Sequence, residues 1–287
     1  MEFLTVSDST AWVAKYHANY IRGVSLNALN QQTRTYNNHN SFISHLREWD
    51  DNQKQLVKSA VTFAIENTSS ETKWLCSSIP WRFIAVDDAL ESGMPHTIHS
   101  AIVFPAWWIR LLGDSSNTAV KRSDTFFSCI ETLIHERVHV WQKVKPDLFF
   151  QLYKAWGWKR IDNPQTIPVG IVESHRHNPD TPFHWAIFEQ NPEYCWIPCV
   201  KFKPQPKNLH DVDYFLVRLH VRLHIIEWHP MTSVRWYQSF YNSTPHCYHP
   251  DEASAVLIAS IARYGVDTRT ISNSEKALMA WMLHECS

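Results

Sequence analysis

Thr132-Leu133-Ile134-His135-Glu136-Arg137-Val138-His139-Val140-Trp141-Gln142 is the stretch on which the reading of the chain turns. On an α-helix, His135 and His139 lie four residues apart and point the same way, about one turn of ~5.4 Å from each other. Two imidazole nitrogens so placed reach one tetrahedral ion at ~2.0–2.1 Å each. Glu136 adjoins the first histidine and leans towards the same point. A carboxylate there can take a proton from metal-bound water, whose pKa the ion lowers, and pass it to a leaving amine. The spacing therefore predicts one zinc ion (Zn2+) on His135 and His139, with Glu136 as general base. The competing reading is chance, because the chain has 17 histidines. Against chance, the pattern falls within an amphipathic helix from Ser123 to about Lys143, with Phe126, Phe127, Ile130, Leu133, Ile134, Val138 and Trp141 as its apolar belt. A strand-like segment also precedes that helix.

Working outward, the 287 residues suffice for one large domain or two small ones, and 44% hydrophobic with 19% charged residues allows a sizeable core. Fourteen Trp and fourteen Phe predict a core and a cleft lined by large flat side chains. A formal net charge of −1 without like-charge blocks argues against nucleic acid or an anionic membrane as partner. Residues 1–30 lack a basic start leading into an apolar run, and no long apolar span occurs, so an intracellular location is expected. The six cysteines are then expected as free thiols, with Cys195 and Cys199 as buried ones.

The pattern along the chain predicts one α+β domain. Residues 1–80 read as helical: Asp8-Ser9-Thr10 can cap a helix to about Asn27, and a second runs from about Asp50 to Glu66, separated by a polar loop over Gln31–Asn40. Residues 81–145 carry strands at Trp81–Val86 and Thr97–Phe104, a short helix over Trp107–Leu112, and the motif helix. Residues 146–245 read as an inserted β-rich region, with strands at Val169–Val172, Phe183–Phe188, Tyr194–Phe202 and Tyr214–Trp228. In the last, Leu216, Arg218 and His220 alternate with apolar residues and read as a solvated face rather than a substrate surface. Residues 246–287 return to helix at Asp251–Arg263 and Ser272–Glu285. His175-Arg176-His177-Asn178-Pro179-Asp180-Thr181-Pro182 reads as a firm turn, whose histidines are candidates for lining a cleft.

A third metal ligand must come from elsewhere, because position 145, six residues after His139, is Lys rather than His. Glu252 leads: Pro250 and Asp251 are good helix starters, which puts Glu252 in a first helical turn, and Ala255 permits close packing. Glu252 also suits a helix N-terminus electrostatically without any ligand role. Asp251, His249, His246, Asp180 and His184 are the alternatives. For an oxyanion stabiliser, Tyr248 comes first and His246 second.

These residues resemble the zincin metallopeptidases, and within them the gluzincin branch, where two helical histidines and a downstream glutamate hold zinc. Glu252 to Ala255 looks like the third-ligand helix of compact gluzincins similar to the anthrax lethal factor catalytic domain. Met94 to Pro105 resembles the edge strand that precedes the zincin active-site helix. The resemblance implies a zincin-like fold: a small mixed sheet packed on the active-site helix, N-terminal helices, an inserted antiparallel sheet and C-terminal helices. It also implies strand addition by an extended peptide substrate. The chain departs from the pattern in two ways. There are 112 residues between His139 and Glu252, and Ala255 and Val256 stand where some gluzincins carry an orienting acid, so an outer partner for the ligand histidines is expected from another segment. The implied function is zinc-dependent peptide hydrolysis. The alternatives are a zinc-binding zincin-fold protein that binds peptides or serves as a structural module without turnover, and hydrolysis of a small non-peptide amide.

Overall fold

The computed structural model describes residues 1–23, 39–116, 124–161, 167–176, 178, 180, 186–205, 211–220, 226–241, 248–264 and 272–286. The architecture is α+β, with one mixed and one antiparallel sheet.

The motif helix, Asp124–Val144, is buried along most of its length, including Phe126, Cys129, Ile130, Leu133, Ile134 and Val138. The glutamate helix, Pro250–Tyr264, packs along it. Buried Ala253, Ala255, Ala259 and Ala262 leave little bulk on the glutamate helix, so the two backbones come close.

The mixed sheet orders β1 (Glu2–Phe3), β3 (Arg82–Val86), β5 (Ala101–Pro105) and β4 (His96–Ile98), with β2 (Leu46–Arg47) also paired to β3. Strands β3 and β5 run parallel and are covered on both faces, so they read as apolar runs. Phe83, Ala85, Ile102 and Phe104 join the main core with the motif helix. Ile84, Val86, Ile98 and Val103 face a second core with Val13 of the N-terminal helix, Val6–Gly23, and Phe42. The helix Asp51–Asn67 forms where the apolar spacing predicts, started by a capping box of Asp50 and Gln53. Most of the predicted loop at Gln31–Asn40 lies outside the described residues, and His39–Ser44 is a short helix.

The antiparallel sheet orders β10 (Ile226–Pro230), β9 (Val212–His220), β8 (Tyr194–Phe202), β7 (Ala186–Asn191) and β6 (Trp158–Arg160). One of its faces closes a third core of Ile171, Cys195, Ile197, Cys199, Val217 and Leu219. The other face contributes Trp196, Val200, Val212 and Leu216 to the main core. The even positions of β9 are therefore not a solvated face: Leu216 is fully buried, and Arg218 lies 3.8 Å from the ring centroid of Tyr194.

Four expected elements take another form. Thr97–Phe104 is two strands folded back on each other, with His99 at φ 54° in the turn. Tyr214–Trp228 is also a hairpin, Ile226 pairing with Leu219; its alternation continues across residues 221–225 without a Gly or Pro to mark the reversal. Val169–Ser174 is a helical turn rather than a strand: Pro168 precedes it, and Ile171 buries its side chain fully while Val169 stays exposed. The region 146–245 opens not with strands but with the helix Pro146–Ala155, Pro at its first position, and also holds the helix Arg235–Phe240. Of Phe183–Phe188, the first three residues lie outside the described set and the rest belong to β7. Cys76, Cys129, Cys195, Cys199 and Cys286 are free thiols.

Candidate metal centre

His135 and His139 project from one face of the motif helix towards Glu252, the third residue of the glutamate helix. His249 precedes that helix. Its Nδ1 accepts from the Asp251 N–H at 3.2 Å, and its carbonyl accepts from the Ala253 N–H at 2.8 Å. This capping, with Pro250 next, fixes the turn that presents Glu252.

The three ligating groups form a small triangle, the Glu252 carboxylate turning a different oxygen to each histidine. His135 Nε2 and His139 Nε2 are 3.0 Å apart, His139 Nε2 and Glu252 Oε1 3.4 Å, and His135 Nε2 and Glu252 Oε2 3.5 Å. Donors shared by one tetrahedral ion at ~2.0–2.1 Å stand ~3.3–3.4 Å apart. Two imidazoles and one carboxylate held this close together suit a divalent ion of borderline softness. Of the alternative ligands, Asp180, His249 and Asp251 stand outside the triangle, while His184 and His246 lie outside the described residues.

Orientation of the ligands comes from two amides. Gln142 Nε2 donates to the Asp251 carbonyl at 2.9 Å and lies 2.8 Å from Ser254 Oγ and 3.0 Å from the Tyr153 hydroxyl. Because a carbonyl can only accept, Gln142 Oε1 is the atom facing His139 Nδ1, at 2.7 Å, and it accepts the Nδ1 proton. His139 Nε2 is left with its lone pair aimed at the triangle. The outer partner thus comes from the motif helix itself, three residues on, and not from another segment as expected. Asn178 does the same for the glutamate: its Nδ2 donates to Glu252 Oε1 at 2.6 Å and to the Tyr248 hydroxyl at 2.7 Å, while its Oδ1 accepts from the Asp180 N–H at 2.9 Å.

Burial alone would disfavour a charged His135. Its hydrogen bond to Glu252 and the Glu252 charge, helped by Glu136 and Asp180, nevertheless raise its pKa to about 9. The pKa of His139 is lowered, first by burial. Glu252 is held below the usual carboxylate range because its histidine neighbours outweigh burial. Glu136 is only 5% exposed, and its Oε2 has no hydrogen-bond partner among the described residues. Burial, and then the Asp180 charge, push its pKa well up. An orphaned buried carboxylate oxygen is costly unless something brings it a proton or a cation.

His135, Glu136, His139, Tyr248 and Glu252 line one cleft of about 760 Å³, together with Glu131, Thr132, Arg176, Asn178, Asp180 and Tyr214. Of the expected turn from His175, residues 177, 179, 181 and 182 lie outside the described residues; Arg176, Asn178 and Asp180 rather than His175 reach the cleft. His175 is buried and accepts from the Val200 N–H at 3.1 Å. Asp180 is fastened to the free edge of β4: its Oδ1 accepts from the Thr97 N–H and hydroxyl, both at 2.7 Å, and pairs with Lys143 at 3.1 Å. Lys143 also donates to the Thr97 carbonyl at 2.8 Å. The outward polar groups of Thr97 are therefore taken, and an added strand could pair there only by displacing Asp180 and Lys143.

Gln142, Asn178, Arg176 and Tyr214 escaped the sequence reading. Gln142 leaves a trace in its three-residue spacing from His139, and Arg176 and Asn178 lie in the quoted 175–182 stretch, of which only the histidines read as cleft candidates. Compared against known proteins, the chain matches no protein-family model, no curated protein and no solved structure.

Proposed function

We propose that this chain is a zinc-dependent hydrolase of amide bonds, a peptidase of the zincin type, with zinc held by His135, His139 and Glu252. The observation that carries this reading is the donor triangle with Glu136 in the same cleft, its Oε2 unpartnered among the described residues. A divalent ion bound there would supply Lewis acidity, acidifying water and polarising the amide carbonyl. In this reading Glu136 accepts a proton at Oε2 and delivers it to the departing amine, supported by its position in the cleft with the three ligating groups. The Tyr248 hydroxyl lies in the cleft, held by Asn178, and is the candidate donor to developing negative charge on the carbonyl oxygen. Zinc is the preferred metal because two imidazoles and one carboxylate are a usual catalytic zinc set.

The closed edge of β4 favours a second reading, hydrolysis of a compact amide that does not pair as a strand. The deciding experiment incubates the zinc-loaded chain, and its Glu136→Ala variant, with a peptide library and with small acylated amides. The variant should retain zinc and lose hydrolysis of whichever class the native chain cuts. Hydrolysis surviving in Glu136→Ala sinks the mechanism.

A further inference from the structure

The charged side chains around the cleft are largely matched. Lys143 pairs with Asp180 at 3.1 Å, Arg263 pairs with Glu131 at 2.6 Å, and Glu252 faces the two histidines. Arg176 differs. It lines the same cleft and, among the described residues, its guanidinium makes no ion pair and no hydrogen bond. A half-buried guanidinium left without a carboxylate has donors to offer an incoming group.

The backbone of Arg176 is fixed. Its N–H donates to the Val200 carbonyl at 2.7 Å, and the Val200 N–H donates to His175 Nδ1 at 3.1 Å, so residues 175–176 are fastened to β8. On its other side Val200 pairs with Tyr214 of β9. The Tyr214 ring lies 5.2 Å from that of Tyr248, whose hydroxyl shares Asn178 with Glu252. A continuous set of contacts therefore joins the anchor of Arg176 to the third donor of the metal triangle. Tyr214 and Tyr248 line the same cleft as Arg176.

We propose that Arg176 binds a carboxylate of the substrate, so that the site selects molecules bearing a carboxylate close to the bond that is cut. This rests on the hydrolase reading of the same cleft. A guanidinium fork takes a carboxylate through two parallel N–H···O bonds, and in a partly dry cleft that pairing both holds and orients the substrate. The carboxylate is either the free C-terminus of a short peptide or an acidic side chain.

The test measures equilibrium binding to the zinc-loaded full chain carrying Glu136→Ala, where turnover does not interfere. The probes are matched short peptides: one with a free C-terminal carboxylate, its C-terminal amide, and amidated forms with Glu or Gln inside. One carboxylate peptide should bind about tenfold to a hundredfold more tightly than its neutral counterpart. The terminal pair and the internal pair tell the two sources apart. Adding Arg176→Gln should abolish the difference, and Arg176→Glu should reverse it in favour of a Lys-bearing peptide. Equal binding of charged and neutral peptides, no binding of either carboxylate form, or a preference that survives Arg176→Gln overturns the proposal. Cleavage by the native chain is scored separately: a carboxylate preference without cleavage refutes the hydrolase reading alone, and cleavage without the preference refutes Arg176 alone.

Discussion

At the scale of single residues, two neutral amides orient the candidate metal ligands. Gln142 fixes which nitrogen of His139 carries the proton, and Asn178 holds one oxygen of Glu252. Outer partners of this kind are worth ~10–100-fold in metal affinity, so Gln142→Ala and Asn178→Ala should each weaken zinc binding by about that factor in a chelator competition. Unchanged affinity in both would remove their assigned roles. His135, Glu136, His139 and Glu252 were legible because helical spacing and a helix start can be read locally. Asn178 and Tyr214 were not, because what brings them to the site is tertiary: the attachment of the 175–180 segment to β4 and β8, and the pairing of β9 with β8. Asp180 offers a pH test. Burial would raise its pKa, but Lys143, His139, His96 and the Thr97 hydrogen bond together depress it. A carboxyl depressed in the fold stabilises at pH values above its unfolded pKa of ~3.9, and that contribution fades as pH falls through the folded value. Asp180→Asn should accordingly cost on the order of 3 kcal/mol in urea unfolding at pH 7 and progressively less below about pH 4. A cost that does not change with pH would mean that the ion pair is not its source.

At the scale of elements, Arg137 ties the motif helix to the segment before β3. Its side chain is fully buried, donates to the carbonyls of Leu75, Ile79 and Pro80, and lies 4.4 Å from the Trp81 ring centroid. Its guanidinium is spent on backbone carbonyls, and unlike its neighbour Glu136 it does not line the cleft. Arg137→Ala leaves three carbonyls without their donor and should destabilise the chain by about 3–5 kcal/mol, seen in chemical unfolding. A loss below 1 kcal/mol would contradict this account. By contrast, Ser272→Ala removes only the capping box of the C-terminal helix, Asn273–Glu285, and should cost about 1 kcal/mol. Helices marked by caps or apolar spacing were read well, whereas Pro146–Ala155, Val169–Ser174 and Arg235–Phe240 were not. The hairpin within residues 214–228 was misread because alternation runs on across residues 221–225, and that at Thr97–Phe104 because no Gly or Pro stands at His99-Ser100 to announce the reversal.

At the scale of the whole molecule, the donor triangle joins two helices separated by a five-stranded antiparallel sheet in sequence. Among the described residues, no helix is long and apolar enough to cross a membrane. The α+β class and the helical ends were legible from composition and periodicity. How 112 intervening residues bring Glu252 back to His139 was not, because it depends on β8 and β9 adding to the main core through Trp196, Val200, Val212 and Leu216. A metal ion clasping both helices should stabilise the fold, by about 2.7 kcal/mol at a free zinc concentration a hundred times the dissociation constant. Chelation should therefore lower the melting temperature of the native chain and leave Glu252→Ala nearly unmoved. The central claim is tested most directly by counting zinc bound per chain after exhaustive buffer exchange, in the native chain, Glu136→Ala and Glu252→Ala. One ion per chain in the first two and a marked loss in the third is the predicted result; a native chain that retains no zinc would contradict it.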